Sequence, residues 1–155
     1  MLSGNIPAYV TIEARGSFGG YMEQDAERTH STANKREITD LIRTCLGGRA
    51  AEIVYYGDID GLDTGARNDI EQSTNYALNM VTLYGMDGNS GLAHIERSAA
   101  ISSPEIMGRV NEILAGEMKN AVRLISENRD KTDILSEELL RRNRLTGEDI
   151  RRLIG

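Results

Sequence analysis

One cysteine, two histidines, two prolines and no tryptophan leave several familiar chemistries with nothing to work with in these 155 residues. With Cys45 as the sole thiol, there is no internal disulfide and no cysteine-based zinc site. Following Ile38, Leu41 and Ile42, it reads as a small buried apolar residue, not a nucleophile. His30 and His94 are far apart in the chain, so no i, i+4 pair can hold zinc from one helix face. The simplest reading makes His30 a solvated loop residue and His94 an ordinary strand or loop histidine, with metal ligand or general base as the sharper alternative for His94. A glycine-rich G-x-x-x-x-G-K-[ST] loop is also missing, which removes the usual route to nucleotide hydrolysis within this chain. No apolar run approaches the ~20 residues needed to cross a bilayer, and there is no signal-peptide pattern. As it stands the chain is therefore expected to be soluble and cytoplasmic. Positive charge is in deficit, with a net charge of -6, which leaves no general attraction for nucleic acid or an anionic membrane. Arg141, Arg142, Arg144, Arg151 and Arg152 make a local basic end. Glu137 and Glu138, four positions before Arg141 and Arg142, favour helix ion pairs and a solvated face there.

What is present is enough apolar material, 39% of the chain, for one domain spanning residues 1–155. Met1 to Pro7 reads as irregular, with turn chemistry at Gly4-Asn5-Ile6-Pro7. Tyr9-Val10-Thr11-Ile12-Glu13 is β-branched and aromatic, and Gly16, Gly19 and Gly20 allow a turn into Tyr21-Met22-Glu23, which predicts a β-hairpin. Two strands alone are marginal in water, so the hairpin must lie on helices or find a further strand. Asp25 to Ala33 reads as a polar loop. Asn34 followed by Glu37 is a helix-start signature, and a helix is expected to run to about Tyr56 with Ile38, Leu41, Ile42, Cys45, Ala50, Ile53 and Val54 on one stripe. Gly47-Gly48 interrupts it at a cost of roughly 1 kcal/mol per glycine against alanine, so a close approach by another element is expected there. Asp58, Asp60 and Asp63 alternate in the next connection. A calcium loop is set aside, because the twelfth position counted from Asp58 is Asp69, not glutamate, and the sixth-position glycine is not supplied.

Ile70, Ala77, Met80, Val81 and Tyr84 keep helical spacing, so a helix is expected from near Asp69 to about Tyr84. Gly85 to Gly91 reads as loop and Leu92-Ala93-His94-Ile95 as a short strand. Ser103-Pro104-Glu105 opens the longest helix, with Ile106, Val110, Ile113, Leu114, Met118, Val122 and Ile125 on its buried face. Asn128 is expected to break that helix and cap the next, whose stripe is Ile134, Leu135 and Leu139. Thr146 with Asp149 starts a last short helix carrying Ile150, Leu153 and Ile154. The expected fold class is mainly α, with a small N-terminal β-hairpin. Asp69 itself has two readings. An acid in a first helical turn is ordinarily a dipole partner or cap; the specific alternative is one ligand of a metal whose other ligands lie elsewhere.

Two stretches carry a resemblance: Leu46-Gly47-Gly48-Arg49-Ala50-Ala51-Glu52, and Thr64-Gly65-Ala66-Arg67-Asn68-Asp69-Ile70-Glu71-Gln72-Ser73-Thr74. Together with Val10 to Gly16, Asn79 to Met86, Glu127 to Lys131 and Leu145 to Ile150, they resemble the peptidase domain of the FtsH family of membrane-anchored, ATP-dependent zinc metalloproteases. The likeness covers nearly the whole chain in the right order. In that family an H-E-x-x-H helix supplies two zinc-binding histidines and a glutamate base, and the aspartate of an Asn-Asp pair is the third protein ligand. The resemblance therefore implies Asp69 as metal ligand. Such a set leaves an open zinc position for water, whose pKa falls toward neutrality. Glu52 sits in a matching acidic position, for which support of the site or a structural role is expected in place of direct ligation.

The chain departs from the family in lacking H-E-x-x-H, which by family order would lie just upstream of Val10, at or before Met1. It also has Ala14 where proline is usual and a longer connection around Ile59 to Asp63. The resemblance implies a helical peptidase domain truncated on its N-terminal side, part of an endopeptidase that degrades unfolded or membrane proteins. This piece itself is expected to be inactive, with no catalytic residue and no bound zinc. ATP would act only through an ATPase module absent here. Protein or peptide substrates, a hexameric homo-oligomer and membrane anchoring with this domain on the cytoplasmic side are implied for the complete protein. The other reading is a non-catalytic scaffold for oligomer formation or protein binding.

Overall fold

In the computed structural model, which describes residues 6–13, 21–23, 32–57, 61–89 and 92–155, the chain forms two compact units. One is Thr32–Leu124; the other combines Met1–Ser31 with Ile125–Gly155. The expected turn glycines Gly16, Gly19 and Gly20, the loop around His30, and Asp58 and Asp60 lie outside the described residues.

In Thr32–Leu124 the first helix, α1 (Lys35–Cys45), starts where the sequence predicts. The Glu37 N–H donates to Asn34 Oδ1 at 3.0 Å and the Asn34 N–H donates to Glu37 Oε2 at 2.8 Å, so two otherwise orphaned donors are satisfied reciprocally. The helix does not continue unbroken to Tyr56. It ends at Leu46, which also opens α2 (Gly47–Tyr56). The close approach expected at Gly47-Gly48 is absent: among the described residues a Cβ at either position would meet nothing within 4 Å. The glycines form the first turn of a new helix, where N–H groups lack intrahelical partners in any case.

Helix α3 (Arg67–Thr82) packs on α1 through Ala77, Leu78, Met80 and Val81 against Ile38, Ile42 and Leu46. Ala100 of α4 (Arg97–Ile101) and Val110 of α5 (Pro104–Glu127) complete this core. Ile70 and Tyr84, expected on the buried stripe, are exposed, and Ser73 and Thr82 are buried in their stead. Their hydroxyls donate to the Ile70 and Leu78 carbonyls at 2.9 Å, which lets a polar side chain enter the core without losing its hydrogen bond. The strand expected at Leu92 to Ile95 is not formed, and α4 follows it unforeseen. The Ile95 N–H instead donates to the Thr82 carbonyl at 3.0 Å, satisfying an acceptor at the end of α3. Helix α5 opens at Pro104 as the sequence predicts, and Arg43 ties it to α1 by bridging Asp40 at 2.9 Å and Glu117 at 2.6 Å.

In the second unit β1 (Tyr9–Thr11) and β2 (Tyr21–Glu23) pair antiparallel, as the expected hairpin requires. The further strand is β3 (Arg144–Thr146), antiparallel on the other side of β1, giving the order β2-β1-β3. Val10 faces Leu145 in register, and the Arg144 guanidinium lies 4.1 Å from the centre of the Tyr9 ring, a cation–π contact. The turn into β3 from α6 (Arg129–Arg142) uses Asn143 at φ 61; its carbonyl accepts from Thr11 Oγ1 at 2.9 Å and from the Ile12 N–H at 3.1 Å. Asn128 occupies the N-cap position of α6 but its side chain makes no capping bond, and Ile134 is exposed. Leu135 and Leu139 are half-buried. Helix α7 (Gly147–Ile154) begins with a capping box between Thr146 and Asp149 and buries Ile150.

Two positions here give measurable consequences. A Cβ at Gly147 would stand 2.7 Å from the Pro7 carbonyl oxygen, a backbone atom that cannot swing aside, so Gly147→Ala should destabilise the chain by about 1–3 kcal/mol in urea titration, with an unchanged slope. The Asp149 carboxyl is lowered to about 2 by its bonds to Thr146 first, with Arg142 adding to the effect. A folded-state value below the unfolded one means this stabilisation is present above ~4 and is lost as pH falls through about 2. The melting-temperature difference between the native chain and Asp149→Ala should therefore be largest near neutrality and shrink across that window.

Candidate functional site

The approach to α3 is built by a loop folded back on the helix before it. A Cβ at Gly61 would overlap Tyr56, the last residue of α2, so glycine is required for the chain to return there. Asp63 then accepts the Gly65 N–H on Oδ1 at 2.6 Å, a local turn in which the side chain mimics a backbone acceptor. The Arg67 N–H donates to the Thr64 carbonyl at 3.2 Å, and the Ile70 N–H to the Ala66 carbonyl at 2.9 Å. Buried Ala66 thereby opens α3, with no side chain capping it.

Asp69 lies in that first turn, with its side chain exposed. Among the described residues its carboxylate has no hydrogen bond and no ion pair, so it is not a cap. Partial burial raises its pKa from the ordinary aspartate value. One turn on, the Gln72 Oε1 accepts from Cys45 Sγ at 3.6 Å. Cys45, expected to be buried, is only half-buried, and burial first, then the Asp69 charge, pushes its thiol up. Asp69, Gln72 and Cys45 thus bring the start of α3 together with the end of α1.

The other sequence candidates have partners of their own. Glu52 pairs with Arg49 of its own helix at 2.7 Å. His94 is exposed and its Nε2 lies 3.2 Å from Glu96 Oε1, the ordinary surface histidine of the simpler reading. Among the described residues no three His, Cys, Asp or Glu side chains converge to hold a metal ion. Asp69 fits a metal as a single carboxylate donor: it is accessible, and no cation among the described residues competes for it. Sequence reasoning missed Gln72 and the contacts of Arg49. The i, i+3 spacing of Arg49 and Glu52 was the available signal for the latter.

Comparison with known proteins is consistent along the chain. The model of "Peptidase family M41" matches residues 3–153. The ATP-dependent zinc metalloprotease FtsH of Mycoplasma mobile is 33% identical over 159 residues, covering 91% of this chain and 22% of the relative. FtsH 1 of a Thermoanaerobacter species is 33% identical over 94% of this chain and 26% of its own. The Bacillus subtilis FtsH is 31% identical over 94% and 25%. This chain spans about a quarter of the length of these relatives. With nearly every residue inside the match, the chain belongs to peptidase family M41.

Proposed function

We propose that these residues form the helical part of a zinc endopeptidase module and that Asp69 is its carboxylate ligand. The observation that carries this reading is an accessible carboxylate, free of any ion pair among the described residues, at the first turn of α3 in the Asn68-Asp69 pair. Both compact units belong to one module on this reading, in keeping with a family match that runs through both. When bound, zinc supplies Lewis-acid chemistry at the scissile carbonyl and to water. Asp69 would hold the metal by one oxygen donor, and the loop ahead of α3 would keep that donor in place. The imidazoles and the base must come from outside these residues, which contain no H-E-x-x-H. By themselves they should bind no stoichiometric zinc and cleave no protein.

The substrates are unfolded or membrane proteins, degraded by a hexamer whose ATPase module is not among these residues and whose membrane anchor leaves this part on the cytoplasmic side. No described helix here is long and apolar enough to cross a membrane. Among the described strands β2 is an edge of the sheet, and an extended peptide adding to it by main-chain hydrogen bonds is the substrate-binding mode that follows.

The purified 155-residue chain should lose zinc on dialysis and leave casein intact; tight retention of zinc would overturn the single-donor assignment. A helix carrying H-E-x-x-H, placed ahead of Val10 where the family resemblance puts it, can be joined to this chain. The product should hold about one zinc and cleave casein, and Asp69→Asn should abolish both. Metal retained by Asp69→Asn would remove Asp69 from the ligand set. Folded product with neither metal nor cleavage before any substitution would favour the non-catalytic scaffold.

A further inference from the structure

The guanidinium of Arg49 reaches in two directions. Its Nη1 donates to Glu52 Oε2 at 2.7 Å, one turn along α2, and its Nη2 donates to the backbone carbonyl of Asp63 at 2.7 Å. Little of either charged side chain is exposed, 14% for Arg49 and 19% for Glu52, so this pair is less screened than a surface ion pair. The Asp63 carbonyl belongs to the residue whose side chain holds the Gly65 N–H, two positions before Arg67 begins α3. A short run of hydrogen bonds therefore connects α2 to the first turn of α3, by way of Asp63, Gly65, Thr64 and Arg67.

We infer that Arg49 is a positioning residue: oriented by Glu52, it clamps the Asp63 carbonyl and so fixes where Asp69 presents its carboxylate to the metal. This rests on the reading of Asp69 as ligand. A charged fork suits the task because it satisfies a carboxylate and a carbonyl at once in fixed geometry, whereas the compact ammonium of lysine on its flexible stem does not. Helix α3 gets no side-chain cap at Ala66, so the segment ahead of it depends on this bond and on the Asp63 turn for its course.

The test uses the 155-residue chain without metal, by amide hydrogen exchange on the native chain, Arg49→Met and Arg49→Lys. Arg49→Met should speed exchange at Gly65 and Arg67 by roughly tenfold, the order expected for losing a charge-assisted hydrogen bond, while amides in the middle of α5 keep their rates. Arg49→Lys should fall between. Unchanged rates at Gly65 and Arg67, or acceleration spread equally through α2 and α5, would overturn the clamp. In the zinc-loaded joined protein, Arg49→Met should weaken zinc affinity about tenfold and Arg49→Lys less. Equal affinity for all three would overturn the link to Asp69. Metal retained by Asp69→Asn refutes the ligand reading instead, whatever exchange shows at Gly65, so the two failures are separable.

Discussion

The packing of α1 against α3 is the constraint on which the rest of Thr32–Leu124 depends. Ile42 and Ala77 have no exposed surface, and Val81 and Met80 have almost none. Such an interface is close-packed, so the angular position of α3 is fixed by which residues point inward. With Ala77, Leu78 and Val81 turned to the core, Asp69 and Gln72 are carried to the end of α1, where Gln72 meets Cys45. Ser73 is admitted to the same buried face because its hydroxyl is already bonded to the Ile70 carbonyl.

The electrostatics of the α3 start follow from that placement. A carboxylate near a helix N-terminus ordinarily gains from the dipole, but Asp69 is shifted the other way by burial. Asp149, at the same third position of α7 and part of its capping box, shows the opposite outcome: Thr146 and Arg142 bind its carboxylate and hold it low. The contrast between two acids at equivalent helical positions is a contrast of partners. One is bound by its neighbours, and the other has no hydrogen bond or ion pair among the described residues.

Helix periodicity in the sequence was enough to locate α3, α5 and α7, and the cap signatures at Asn34, Pro104 and Thr146 marked their starts or that of α1 to the residue. Asp69 was readable as a candidate from its family motif and its place in a helical turn. What pattern alone could not supply were facts set by tertiary partners. Strand β3 is three residues long between two helices, and only its pairing with β1 makes it a strand. Conversely, Leu92 to Ile95 has strand-like composition but no neighbour to pair with among the described residues, and the Ile95 N–H goes to α3. Helical spacing places Ile70 in the core and leaves Ser73 out of it, because spacing does not register a hydroxyl that bonds back along its own helix. The Gly47-Gly48 pair suggested a neighbour, whereas it marks a change of helix. Spacing alone can pair Arg49 with Glu52, but the bond from Arg49 to the Asp63 carbonyl leaves no trace in residue type at the other end.

The sheet has a further implication for how the polypeptide reaches its native state. Thr11 and Asn143 are joined by a hydrogen bond across 132 positions of sequence, and Thr32–Leu124 is inserted between the two halves of the unit that contains them. The contacts of the inserted unit are the more local ones, and closing a long loop costs entropy before its contacts repay it. A ribosome would release Tyr9 to Thr11 long before Arg144 to Thr146 exist, so the helical insert can organise during synthesis while β1 waits for β3 until that later stretch emerges.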